Sequence, residues 1–192
     1  MKERPILMSA PMIRAILEGR KTQTRRVVNP QPNRTHDGEP YWFVGGYRAW
    51  TFRECDDILR KGGSNLLCPY GNVGDRLWVR ETTLRVEEHG YLGPVYLESE
   101  RGRAFLGEGM ASSEDGIAEV EPWEIKKRPS VFMPRAMSRI NLEITDVRVE
   151  RLNDISEDDA RAEGVFVPEA DYAQNGSRAP VMAYSALWES IN

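Results

Sequence analysis

Only two cysteines and two histidines occur in 192 residues. Cys55, Cys68, His36 and His89 stand far apart in the chain, without the paired spacing that zinc ligands use, so no metal site is expected. No cofactor motif is evident either: "GNVGD" carries two glycines but no phosphate-loop lysine and reads as a turn before a strand. No stretch approaches the roughly 20 apolar residues that span a bilayer. The opening "MKERP" has charges but no apolar run behind it, so no signal peptide is read. These absences point to a reducing cytoplasm, no membrane partner and both cysteines as free thiols. An excess of positive charge is also missing: 26 Lys and Arg face 30 Asp and Glu, for a net charge of -4. That argues against indiscriminate nucleic-acid binding but leaves room for one local basic pocket.

What is present suits a folded protein. Hydrophobic residues make up 40% and charged residues 29%, enough apolar material for a core. Residues 5–19, "PILMSAPMIRAILEG", open with a strand signal and pass into a helix signal with Pro11 in its first turn. Met12, Ile13, Ile16 and Leu17 share one helical face, and Gly19 reads as the left-handed stop. "TRRVV" then reads as the start of a strand. Residues 29–66 are turn-rich and aromatic, with a hairpin expected in "YWFVGGYRAWTF". "RLWVR" alternates, with Leu77 and Val79 on one side and Trp78 and Arg80 on the other. Residues 86–121 are rich in glycine and glutamate, with a strand-like piece in "GPVYLES". Leu142, Ile144, Val147 and Val149 predict a long strand bulged near Thr145. "NDISEDDARAEGV" predicts a helix capped by Ser156, with Glu157 in a capping interaction and Gly164 at its end. "PVMAYSALWESI" predicts a last helix. Strands without regular βαβ alternation give an α+β fold built on a small mixed β-barrel flanked by helices.

The densest basic cluster is "EGRKTQTRRVV", residues 18–28. Arg20, Lys21, Arg25 and Arg26 surround Thr22 and Thr24. Guanidinium forks and hydroxyls of this kind suit phosphate oxygens or a nucleotide. Cations at a helix end also oppose the macrodipole, so a solvated helix terminus remains the alternative. Lys21 and Thr24 have a further reading as base and nucleophile, since neighbouring arginines depress a lysine's pKa. An extended chain puts them on opposite faces, so their convergence needs a bent loop. Glu163 places a carboxylate at a helix C-terminus, against the dipole, which hints at a use beyond helix stability. Five tryptophans, at 42, 50, 78, 123 and 188, read mostly as packing; Trp78, in phase with Arg80, is the candidate for stacking on a base.

Four separated blocks, "RPILMSAPMIRAILEGRKTQTRRVVNPQP", "CPYGNVGDRLWVRET", "RPSVFMPRAMSRINLEITDVRVERLNDISEDDARAEG" and "SALWESIN", together resemble the ASCH domain of the PUA-like superfamily, in the form found in phage and prophage genomes. The resemblance implies a single domain over residues 1–192, with insertions at about 33–67 and 84–127. It implies a small β-barrel with a cleft beside the first helix. Relatives continue past the last helix into a closing strand, so a barrel built from these residues is expected to have an open edge or to recruit another segment.

The superfamily commonly binds RNA or modified bases. The resemblance therefore implies RNA, single-stranded nucleic acid or a modified nucleoside as partner; the residues read above as its holders are Arg20, Thr22, Arg25, Arg26, Trp78 and Arg80. Some small members are amidohydrolases that remove an acyl group from N4-acylcytidine nucleosides; the positions matching their catalytic residues are Lys21, Thr24 and Glu163. Others act as nucleases. Three readings follow: a nucleic-acid or nucleotide-binding protein, an amidohydrolase, and a phage accessory protein that binds a host or phage protein through its insertions.

Overall fold

The computed structural model describes residues 1–28, 31, 34–36, 39–44, 47–49, 68–111, 119–148 and 150–191; for 34–36, 39–44, 47–49 and 191 the backbone alone is described. The fold is mixed α+β. Contacts divide it into two units: residues 1–14 with 76–143, and residues 15–75 with 144–192.

The first unit is built on a three-stranded sheet. β1 (Glu3–Leu7) runs parallel to the central β5 (Arg76–Arg80), and β9 (Asn141–Glu143) runs antiparallel to it. The register sets Pro5 opposite Trp78, and Trp78 opposite Asn141. Leu77, Trp78 and Val79 are all buried, so side chains on both faces of this central strand are covered. A second three-stranded sheet joins β6 (Thr83–Leu84) to β7 (Val95–Tyr96) and β8 (Lys127–Arg128), both antiparallel. Leu84, Val86, Val95, Met110, Val120 and Ile125 form its core, with Phe105 and Leu106 of α2 (Glu100–Glu108) packed on it. This helix was not expected from the sequence. Its start is fixed by Ser99, whose hydroxyl accepts from the Gly102 N–H.

The second unit holds an antiparallel meander, β2 (Arg34–His36), β3 (Glu39–Val44) and β4 (Tyr47–Ala49), with Val44 opposite Tyr47 as the expected hairpin requires. Three helices follow: α3 (Glu157–Ala162), α4 (Glu169–Asn175) and α5 (Ala179–Ile191), with α3 and α4 both packed against α5. Among the described residues the strands form open three-stranded sheets, none closed on itself. No described helix is long and apolar enough to cross a membrane.

Several expectations are corrected. In α1 (Ala10–Leu17), Met12 and Ile13 are buried as expected, but Ala15 is buried and Leu17 is 50% exposed. "TRRVV" forms no strand; the two residues before it, Thr22 and Gln23, donate their N–H groups to the Ala162 carbonyl, at 2.8 and 3.0 Å. The long strand at 142–149 shortens to Asn141–Glu143, because the next backbone groups turn to the 74–75 turn: Ile144 N–H donates to Asp75 O, and Gly74 N–H to Ile144 O. Val149 lies outside the described residues, as do Cys55 and the side chain of His36. Ser156 does cap α3, but its partner is Asp159 and not Glu157.

Candidate active site

The basic turn lies in the second unit, and the end of α1 aims it. Gly19 adopts φ 73°, the left-handed conformation expected of it. The chain then folds back so that the Arg20 and Lys21 N–H groups both donate to the Ala15 carbonyl, at 2.9 and 3.0 Å. Two orphan donors and a helix-end acceptor are thereby satisfied together. Lys21 next pairs with Glu163 in an isolated antiparallel bridge.

Close approach at this bridge depends on Gly164. It sits at φ +81°, and a Cβ there would lie 2.7 Å from the Lys21 Cβ and 2.8 Å from the Ala15 Cβ. No side chain fits that space, so glycine at 164 is what lets the turn dock against the end of α3.

The side chains follow a period of two. Lys21, Gln23 and Arg25 all turn to the carboxylates of α3 and its C-cap. Lys21 Nζ donates to Glu163 Oε2 at 2.7 Å and to the Glu163 carbonyl at 2.9 Å. Gln23 Nε2 donates to Asp159 Oδ1 at 2.9 Å. Arg25 Nη1 donates to Glu163 Oε1 at 3.2 Å, and its Nη2 to Glu150 Oε2 at 2.9 Å. Thr24 does not join them: its Oγ1 accepts from Arg26 Nη1 at 3.0 Å, and no hydrogen bond links it to Lys21. The segment keeps enough of an extended chain's alternation to separate the two.

Lys21 and Glu163 are 6% and 4% exposed. An ion pair so far from water is costly to form and costlier to leave half-made. Burial pushes the Lys21 ammonium below the usual lysine range, against the opposing pull of Glu163; the charges of Arg26 and Arg25 push the same way as burial. Tyr184 of α5 is 3% exposed and lies under the Arg25 guanidinium, 5.8 Å from ring centroid to Cζ. Its phenol is pushed up to about 12, by burial first and then by the charge of Glu163.

Three cations of the turn have carboxylate partners. Arg20 pairs with Glu18 and donates to the Gly164 carbonyl; Lys21 pairs with Glu163; Arg25 bridges Glu163 and Glu150. Arg148 closes the group on the far side, donating to Asp159 Oδ1 at 2.9 Å and Gln23 Oε1 at 3.2 Å. Asp159 is held below the usual carboxylate range by the Ser156 hydroxyl and by the hydrogen bonds from Arg148 and Gln23.

The remaining candidate residues are placed apart in their contacts. Thr22 takes part through its backbone. Trp78 and Arg80 belong to the first unit and pair with each other, the guanidinium 4.7 Å from the ring centroid, with Arg135 at 5.9 Å. Trp78 is 8% exposed, so its ring is taken up by these cations and by packing. Among the described residues no three His, Cys, Asp or Glu side chains cluster as metal ligands, and Cys68 is a free thiol.

Sequence reasoning did not single out Gln23, Arg148, Glu150, Asp159 or Tyr184. For three of them a signal was available. Gln23 is in phase with Lys21 and Arg25 in an extended segment, and Arg148 and Glu150 alternate with Val147 and Val149. The chain matches no protein-family model, and no match to it was found among curated proteins or among solved structures.

Proposed function

We propose that the chain is an ASCH-type amidohydrolase that deacylates N4-acylated cytosine nucleosides, with Lys21 and Glu163 as its proton-transfer pair. The observation that carries this reading is the buried 2.7 Å contact between Lys21 Nζ and Glu163 Oε2. These two residues are 142 positions apart in sequence, and the resemblance names both as catalytic.

The chemistry closes on itself. A proton shift across the contact converts ammonium and carboxylate into amine and carboxylic acid, a step that burial favours because it removes two charges from a dry site. The Lys21 amine takes a proton from the attacking water as its oxygen bonds to the acyl carbon. Glu163 gives its proton to N4 as the C–N bond breaks. The products are the free acid and the amino nucleoside, and the pair is returned as ammonium and carboxylate. Attack is assigned to water because Thr24 Oγ1 is held by Arg26 and makes no hydrogen bond to Lys21.

The nucleic-acid reading of the same turn has less support. A polyanion needs cations to spare, and Arg20, Lys21 and Arg25 are each matched by carboxylates. An uncharged nucleoside makes no such demand. The two readings separate in one comparison: N4-acetylcytidine is converted to cytidine and acetate, whereas single-stranded RNA shows no salt-sensitive binding. Tight, salt-dependent RNA binding without turnover of the nucleoside would reverse the choice.

A further inference from the structure

Tyr184 has two neighbourhoods. On one it lies under Arg25 and within reach of the Glu163 charge. On the other it lines a cavity of about 220 Å³ between α5 and the 152–155 segment. At about 30 Å³ per liquid water, that space holds roughly seven waters. It is smaller than the about 300–1,000 Å³ of clefts for drug-sized ligands, so it suits a single ring and not a strand.

The lining is graded. Tyr184 and Trp188 form an aromatic wall one helical turn apart on α5, with ring centroids 6.1 Å apart and planes inclined by 43°. Half-buried Ile155 adds an apolar surface. Asn153, Ser185 and Glu189 are exposed and bring donors and acceptors to the lining. The Ser185 hydroxyl donates to the Val181 carbonyl at 3.1 Å, which leaves its lone pairs to accept. Aromatic faces with polar groups beside them are how proteins hold an unstacked base. A carboxylate such as Glu189 suits the hydroxyls of an attached sugar.

We propose that this cavity seats the pyrimidine ring of a nucleoside, stacked on Trp188 with buried Tyr184 as the floor, with Asn153 and Ser185 meeting its polar edge and Glu189 its sugar. The assignment of the ring as cytosine-type rests on the proposed deacylase reading. Tyr184 links the seat of the base to the Lys21–Glu163 pair through Arg25, which lies over its ring and donates to Glu163 Oε1.

Cytidine, the unreactive product, is the probe, and titration calorimetry reads its affinity for the parent protein and for Trp188→Ala, Trp188→Phe and the double variant Lys21→Met/Glu163→Leu. Loss of one base stack predicts a Kd raised about 5- to 100-fold in Trp188→Ala. Trp188→Phe keeps a ring and retains binding. The double variant strands no buried charge, so it retains binding and loses turnover of N4-acetylcytidine. In the parent protein, cytidine shifts the Trp188 indole N–H resonance, a readout that survives any folding defect in the variants. Cytidine binding through Trp188 without turnover would sink the deacylase reading and keep the cavity. Turnover with a KM unmoved by Trp188→Ala, or an indole resonance unmoved by saturating cytidine, would overturn the cavity and keep the deacylase.

Discussion

Lys21 Nζ and Glu163 Oε2 are 2.7 Å apart, and both side chains are almost fully withdrawn from solvent. The pair joins the end of one helix to the end of another, through a glycine that leaves no room for a side chain. Its energetics are asymmetric. Removing one partner strands a buried charge, which costs about 3–5 kcal/mol, while removing both replaces the pair by packing. Lys21→Met and Glu163→Gln are therefore each expected to be strongly destabilising in urea unfolding. The double variant Lys21→Met/Glu163→Leu is expected to lose much less than their sum. Additive losses would mean that the two side chains do not interact.

Gly164→Ala probes the docking of the turn. The new Cβ meets two Cβ atoms inside 3.0 Å, and neither is the far end of a flexible chain. The left-handed backbone alone costs about 1–2 kcal/mol. The expected loss exceeds that, and Lys21 is displaced, so turnover falls with stability. A stability unchanged within error would show that the bridge gives way freely.

The pH dependence follows from two shifts of opposite sign. Lys21 titrates below its usual 10.5, so between its folded value and 10.5 the unfolded chain binds the extra proton. Over that window stability rises with pH. The deacylation rate falls as the pH climbs through that folded value, because the proton lost there is the one the pair must give to N4. Tyr184 is raised from 10 to about 12, so it contributes stability below pH 10 that is lost as the pH climbs through about 12. Phenolate absorbance in the parent protein and in Tyr184→Phe isolates this late step. A Tyr184 that titrates near 10 would mean that it faces water.

Thr24 separates two forms of the mechanism. With water as nucleophile, Thr24→Ala and Thr24→Ser both keep most of the activity, and no acyl-enzyme accumulates in rapid-quench mass spectra. An acyl group found on Thr24, or activity abolished by Thr24→Ala and restored by Thr24→Ser, would return the attack to the hydroxyl.

The sequence carried the ends of elements better than their extents. Gly19 and Gly164 were legible as left-handed stops, and Ser156 as a cap, because those signals are local. Lys21 and Glu163 were legible by resemblance, and Glu163 also by standing against the helix dipole. The alternation that parts Lys21 from Thr24 was legible as an alternative. The loop at "TRRVV" was not, because the residues leading into it, Thr22 and Gln23, are held by a helix-end carbonyl 140 and 139 residues away, which no local pattern reports. The central position of β5, between Glu3–Leu7 and Asn141–Glu143, is likewise set by pairing over long range. The matching of cations by Glu150 and Asp159 is a property of the assembled unit. It moves the reading of the turn from a phosphate site towards a pair that transfers protons.

The most direct measurement is the initial rate at which the protein and its Lys21→Met variant release cytidine from N4-acetylcytidine. The account predicts steady turnover by the parent, and a loss of at least about a hundredfold in the variant, the usual size of a general-base contribution. No turnover by the parent, or equal rates for both, would contradict it.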